Sequence, residues 1–141
     1  MRLHGITILL VEDDVDNLEV LALCLEGEGA RVLSAGSIAA ALAMSLGRRI
    51  DVVLSDLDLP DGDGCALLRQ LRSREGYAQL PAIAVSGYSQ DQWRSYATTC
   101  GFDRYAIKPF SIDSLVASVA SLVASVAGLR RGGADDENAA I

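Results

Sequence analysis

The chain carries a single histidine, His4, only three cysteines and three prolines, and no stretch crowded with lysine or arginine. Each scarcity removes a class of function. Cys24, Cys65 and Cys100 are odd in number, far apart and without Cys-x-x-Cys spacing, which argues against a zinc or iron–sulfur site and against a disulfide framework. Each falls in an expected helix, so all three read as small buried hydrophobes in a protein of the reduced cytoplasm. The missing basic run and a formal net charge of −7 argue against direct nucleic-acid binding. No long apolar run exists either. Ile6 to Val11 is cut short by Glu12-Asp13-Asp14, too soon for a signal peptide, and uncharged Ser114 to Leu129 is shorter than a bilayer span. A soluble protein without membrane contact is expected. The chain has no G-x-x-x-x-G-K-[ST] phosphate loop. A calcium loop begun at Asp61 fails as well, because Ala66 and Arg72 stand where Gly and Glu are needed. His4, ahead of the first strand, reads as surface filler.

What remains is one hydrophobic domain of 141 residues, half of them apolar, long enough for a real core. Short β-branched runs alternate with helical spacing about five times. Such runs, apolar throughout, belong to a parallel sheet covered on both faces. The fold class expected is α/β, a doubly wound (βα)5 sheet of five parallel strands with right-handed crossovers. Leu18, Leu21, Ala22 and Leu25 mark the first helix; Ala40, Leu42, Ala43 and Leu46 the second; Leu67, Leu68 and Leu71 the third. Trp93 and Tyr96 sit on a weakly amphipathic fourth helix, and Leu115, Val119, Leu122 and Val126 on the fifth. Pro60 and the glycines around it make the loop 57–64 irregular. The folded domain is expected over residues 1–128, with 129–141 a disordered acidic tail.

Each apolar run stops on a residue suited to phosphate or a divalent cation. Ile6–Val11 meets Glu12, Asp13 and Asp14; Val52–Ser55 meets Asp56; Ala82–Val85 meets Ser86; Tyr105–Ile107 meets Lys108. In an open α/β sheet, ligands sit beyond the carboxyl ends of the strands, so these groups should gather at one edge. Clustered carboxylates repel one another, and a hard cation such as Mg²⁺ relieves that repulsion. Phosphoryl transfer depends on positioning and electrostatics, which a cation, an ammonium and a hydroxyl can supply. No group could strongly activate water, so a phosphorylated product should persist. Blander roles stay open for some residues. Asp14, Asp61 and Asp63 read as loop or helix-capping acids, and Tyr105 could be a packing aromatic.

The motifs Leu10-Val11-Glu12-Asp13-Asp14, Leu54-Ser55-Asp56 through Gly64, Ala84-Val85-Ser86-Gly87 and Tyr105-Ala106-Ile107-Lys108-Pro109-Phe110 resemble the CheY-like receiver domain of bacterial two-component response regulators. The resemblance covers about residues 5 to 127. It implies Asp56 as phosphoacceptor, with Glu12, Asp13, Asp56 and the Asp58 backbone carbonyl holding Mg²⁺. It further implies Ser86 and Lys108 on the phosphoryl group, Ser86 and Tyr105 as the switch pair, and a cis Lys108-Pro109 bond. The donor would be a histidine kinase or a histidine phosphotransfer protein, since His4 is no phosphohistidine candidate. On that resemblance the chain is a stand-alone, cytoplasmic response regulator rather than a turnover enzyme. It would act on an unknown downstream protein through the face of its fourth helix, fifth strand and fifth helix, which could also form a homodimer. Asp58 and Tyr88 are expected to tune phosphoryl lifetime. Two rivals stand beside it. One is a receiver fold that binds partners without phosphorylation. The other is a haloacid-dehalogenase-type phosphatase, prompted by Asp56-Leu57-Asp58 but opposed by acids that precede the nucleophile strand.

Overall fold

The computed structural model describes residues 1–132. Five parallel strands form the central sheet: β1 (Thr7–Val11), β2 (Arg31–Ala35), β3 (Val52–Asp56), β6 (Ala82–Ser86) and β7 (Arg104–Ile107), in the spatial order β2-β1-β3-β6-β7. The helices α1 (Val15–Gly27), α2 (Ile38–Ser45), α3 (Gly64–Arg72), α4 (Asp91–Thr99) and α5 (Ile112–Gly132) make the connections. Chain order steps outward from β1 to β2 and then returns to the other flank of β1 at β3. That reversal opens a crevice at the carboxyl ends of β1 and β3. The expected doubly wound parallel sheet is the fold observed.

Strand periodicity divides the core in two. Ile8 and Leu10 of β1 face α1 and α5, packing with Leu21, Leu25, Leu115, Val116, Val119 and Leu122. Leu9 and Val11 point the other way, toward Ile38, Ala41, Leu67, Leu68, Leu71 and Ala97 of α2, α3 and α4. Since both faces are covered, the strands are apolar at successive positions rather than alternately. Helix starts follow local capping: Asp14 accepts from Asn17 N at 3.0 Å, Ser37 from Ala40 N at 3.0 Å and Asp63 from Ala66 N at 2.9 Å.

Four expectations need correction. Loop 57–64 is partly regular: β4 (Asp58–Leu59) and β5 (Gly62–Asp63) pair antiparallel around Pro60 and Asp61. Gly62 permits the turn at φ 149°, where a side chain would also strike Ile38. The buried face of α2 is Ile38, Ala41 and Ser45, whereas Leu46 lies exposed. A helix apolar on most sides offers little periodicity from which to choose a face. The helix α5 runs on to Gly132, through Gly128 and past the boundary expected at 128. The remainder of the expected tail lies outside the described residues. Finally, Cys65 and Cys100 are joined by a disulfide, with Cα atoms 5.8 Å apart, while Cys24 is free. Sequence spacing concealed the pair, because α3 and α4 become neighbours only when β6 and β7 align beside β3.

Candidate functional site

The site is built at the carboxyl ends of β1, β3, β6 and β7. Register fixes it: Val11 lies beside Ser55, Asp56 beside Val85, and Ser86 beside Ile107. The residues that follow each strand are thereby carried to one rim. Oxygen atoms of Glu12, Asp13 and Asp56 come within 4.8 Å of one another. The Lys108 ammonium donates to Glu12 Oε1 at 2.8 Å and to Asp56 Oδ2 at 2.9 Å. Lys108-Pro109 is cis. The other Asp56 oxygen, Oδ1, accepts the Asp58 backbone N–H at 3.2 Å.

Electrostatics explain the arrangement. Burial works to lower the Lys108 pKa, but hydrogen bonds and charge from Glu12 and Asp56 outweigh it and raise the value. Lys108 therefore stays cationic. Glu12 is only 5% exposed, and its two carboxylate oxygens are engaged by that ammonium and by the Asp14 N–H, 3.1 Å from Oε2. Three oxygen-bearing acids with one ammonium among them suit a hard divalent cation that keeps part of its water, as Mg²⁺ does. Glu12, Asp13 and Asp56 fit that role by chemistry and placement.

Beside the acids lies an open cleft of about 480 Å³, lined by Asp13, Asp56, Asp58, Pro60, Tyr88 and Lys108 among others. The Asp58 carboxylate beside the Tyr88 phenol pushes the phenol pKa up. Its ring stacks on Trp93 with centroids 4.5 Å apart. Ser86 is 1% exposed and does not line the cleft; its Oγ accepts the Tyr88 backbone N–H at 3.0 Å. Tyr105, 8% exposed, donates its hydroxyl to the Tyr88 carbonyl at 2.6 Å, and the Arg94 guanidinium lies 5.1 Å from its ring centre. The peptide groups of Tyr88 are thus gripped by both expected switch residues. Sequence reasoning could not see that link, since it runs through main-chain atoms.

Two further residues support Asp56 and escaped notice in the sequence. Ser55 Oγ donates to the Asp56 carbonyl at 2.8 Å. Gly64 passes so close that a Cβ there would meet the same carbonyl oxygen at 2.5 Å and Leu57 Cα at 3.3 Å. The only signal was a glycine directly after Asp61-Gly62-Asp63, which reads equally well as a turn. Asp61 accepts from Ile38 N at 2.8 Å and Ala39 N at 3.0 Å, so it caps α2 rather than the helix that follows it. His4 is exposed, as expected.

Residues 8–120 match the family described as the response regulator receiver domain. The chain is 36% identical over 110 residues to the KDP operon transcriptional regulatory protein KdpE of Escherichia coli, covering 78% of this chain and 48% of that protein. It is 34% identical over 111 residues to the probable transcriptional regulatory protein TcrX of Mycobacterium tuberculosis, covering 79% and 47%. The chain spans about half the length of these relatives. Among solved structures, the non-phosphorylated HemR receiver domain of Leptospira biflexa aligns with a TM-score of 0.76 at 29% identity, covering 84% of this chain and 94% of that one. The Francisella response regulator 1452 receiver domain aligns with a TM-score of 0.79 at 27% identity, covering 86% and 99%.

Proposed function

Because the chain belongs to the receiver-domain family of two-component response regulators, we propose that it accepts a phosphoryl group on Asp56 from a phosphohistidine donor. The observation that carries this reading is Lys108 bound to Asp56 and Glu12 at the rim where Asp13 also converges. An Asp56 oxygen attacks phosphorus while the P–N bond to the donor imidazole breaks, its electron pair staying on the imidazole. Asp56 Oδ1 is oriented by the Asp58 N–H. The Lys108 ammonium supplies positive charge next to the reacting carboxylate. Mg²⁺, held by Glu12, Asp13, Asp56 and the Asp58 carbonyl, would offset the charge of three carboxylates and of the phosphoryl oxygens. No imidazole lines the cleft to activate water, so the acyl phosphate outlives its formation and serves as a signal rather than as a step in turnover.

Switching follows from the shared grip on Tyr88. When the Ser86 hydroxyl turns toward the phosphoryl group it releases the Tyr88 N–H, loosening the same residue whose carbonyl holds Tyr105. Tyr105 then moves relative to Arg94 on α4. That is a two-state event biased by local charge, and it changes the face formed by α4, β7 and α5. Asp58 and Tyr88, across the cleft mouth, set how fast water removes the phosphoryl group. Among the described residues no helix is long and apolar enough to cross a membrane, and we place the protein in the cytoplasm with its kinase or phosphotransfer partner. The switched face passes the signal to a downstream protein.

Acetyl phosphate with Mg²⁺ tests the reading. A gain of about 80 Da, one phosphoryl group, should map to Asp56 and vanish in Asp56→Asn. A wild-type chain that stays unlabelled would favour the phosphorylation-independent interaction module instead.

A further inference from the structure

The Cys65–Cys100 bond takes no part in the phosphoryl site, yet it joins the two helices on the switch side of the sheet. Cys65 is the second residue of α3 and Cys100 is the residue on which α4 ends. They are 35 positions apart in sequence. The rest of the attachment of α4 is sparse. Ala97 is its only buried residue, and Gln90 gives no side-chain cap. Beyond Ala97 it is held by Trp93, which packs half-buried against the core and stacks on Tyr88, by the Arg94–Tyr105 contact and by a hydrogen bond from Tyr96 to Asp63 at 2.7 Å. At its far end Arg72 donates to the Gly101 carbonyl at 2.7 Å. These are noncovalent contacts that break and reform readily. The sulfur–sulfur bond does not.

Disulfides in reducing compartments are commonly transient and regulatory rather than structural. In a cytoplasmic signalling domain, a bond placed on the element that must move is therefore a variable. We propose that Cys65 and Cys100 form a redox-sensing pair whose bond fixes α4 to α3 and restrains the phosphorylation switch. The inference rests on the reading of α4 as part of the switch face.

The chemistry is thiol–disulfide exchange. Cys65 is 1% exposed and Cys100 is half-buried, so a dithiol reductant attacks Cys100 Sγ. Cys65 leaves as a thiolate and takes up a proton. The second thiol of the reductant then resolves the mixed disulfide, releasing the Cys100 thiol. Two electrons and two protons pass to the cysteine pair, and the reductant ends as its own disulfide. A disulfide oxidant drives the reverse. Oxidation restrains α4 and damps the response, and reduction releases it.

The test uses the full chain with Cys24→Ser, so that alkylation reads the pair alone. Samples are poised in dithiothreitol or in oxidised glutathione, and for mass analysis an aliquot is unfolded in guanidinium chloride and treated with iodoacetamide. Intact mass should show both cysteines alkylated in the first buffer and neither in the second. Hydrogen exchange across residues 91–101 should be about tenfold slower in the oxidised form, since the cross-link removes open states. Beryllofluoride with Mg²⁺, a phosphoryl mimic, should change α4 exchange less in that form. Cys100→Ser, at the less buried position, should behave as the reduced protein in both buffers. Alkylation of both cysteines under oxidant, or equal α4 exchange in the two redox states, overturns the proposal. Acetyl phosphate labelling of Asp56 is read in the same samples. Its absence in both states would sink the phosphoacceptor reading alone, because the redox difference in α4 is measured without it.

Discussion

Lys108 holds two carboxylates at once, and that makes it a competitor as well as a helper. Its ammonium engages Glu12 Oε1 and Asp56 Oδ2, on two of the acids that would hold a divalent cation. Removing it in Lys108→Ala leaves the acids with no cation beside them. Magnesium binding should then tighten by about tenfold, while acetyl phosphate labelling slows for want of positive charge at phosphorus. Calorimetric titration that finds an unchanged magnesium affinity would contradict this competition. The pH dependence follows in sign. Lys108 has its pKa raised above 10.5 in the fold, so its contribution to stability is complete below that value. It is lost only as pH climbs through the higher folded value. Melting of the wild type should therefore fall toward that of Lys108→Ala in the alkaline range and nowhere near neutrality. Gly64 makes a second demand at this scale. In Gly64→Ala the new methyl meets the Asp56 carbonyl at 2.5 Å, and backbone cannot swing aside as a side chain would. Asp56 must shift, and labelling by acetyl phosphate should slow about 10- to 100-fold. A labelling rate equal to wild type would show that the loop absorbs the methyl elsewhere.

At the scale of elements, the small β4–β5 hairpin binds the site to its surroundings. Its turn residue Asp61 caps α2, Asp63 accepts from Tyr96 on α4, and Asp58 lies beside Tyr88 in the loop that leads into α4. Hydrogen bonds from Ile38 and Ala39 hold the Asp61 pKa below 3.8. Its stabilisation is accordingly present above 3.8 and lost as pH falls through the lower folded value. Asp61→Ala should speed hydrogen exchange in the first turn of α2 and flatten the acid limb of the stability profile. Unchanged exchange there would show that Ser37 alone suffices as a cap. None of this hairpin was legible in the sequence, where Pro60 and Gly62 signalled only irregularity. The five main strands were legible, because runs such as Val52–Ser55 are apolar at every position and end on chemistry. The face of α2 was not, since Ala39, Ala40, Ala41 and Ala43 look alike until the sheet chooses among them. Nor was the cysteine pair, whose meeting depends on helix packing. The charged site residues were readable because strand ends in a parallel sheet must share an edge. Gly64, Ser55 and the Tyr88 peptide act through backbone geometry, which leaves little trace in residue type.

For the whole molecule, the question is what the switch face can join. Most apolar side chains of α5 are consumed by the core: Leu115, Val116, Val119 and Leu122 are buried. The residues left outward include Ala117, Ser121, Ala124 and Ser125 of α5, and α4 adds Arg94, Ser95 and Thr98 among others beside the half-exposed Tyr96. Small and polar groups of this kind give little apolar area to drive association. Tyr105 is folded away beneath Arg94, its hydroxyl engaged with Tyr88. The resting protein should therefore be a monomer, and any homodimer through α4, β7 and α5 should wait on the rearrangement that frees Tyr105. Sedimentation at micromolar concentration is expected to show one species without beryllofluoride and a heavier one, or tighter self-association, with it. Tyr105→Ala should lose that response while Asp56 still takes the phosphoryl group, because the tyrosine acts after the chemistry. A mass that ignores beryllofluoride would remove the homodimer, leaving the same face for a different protein.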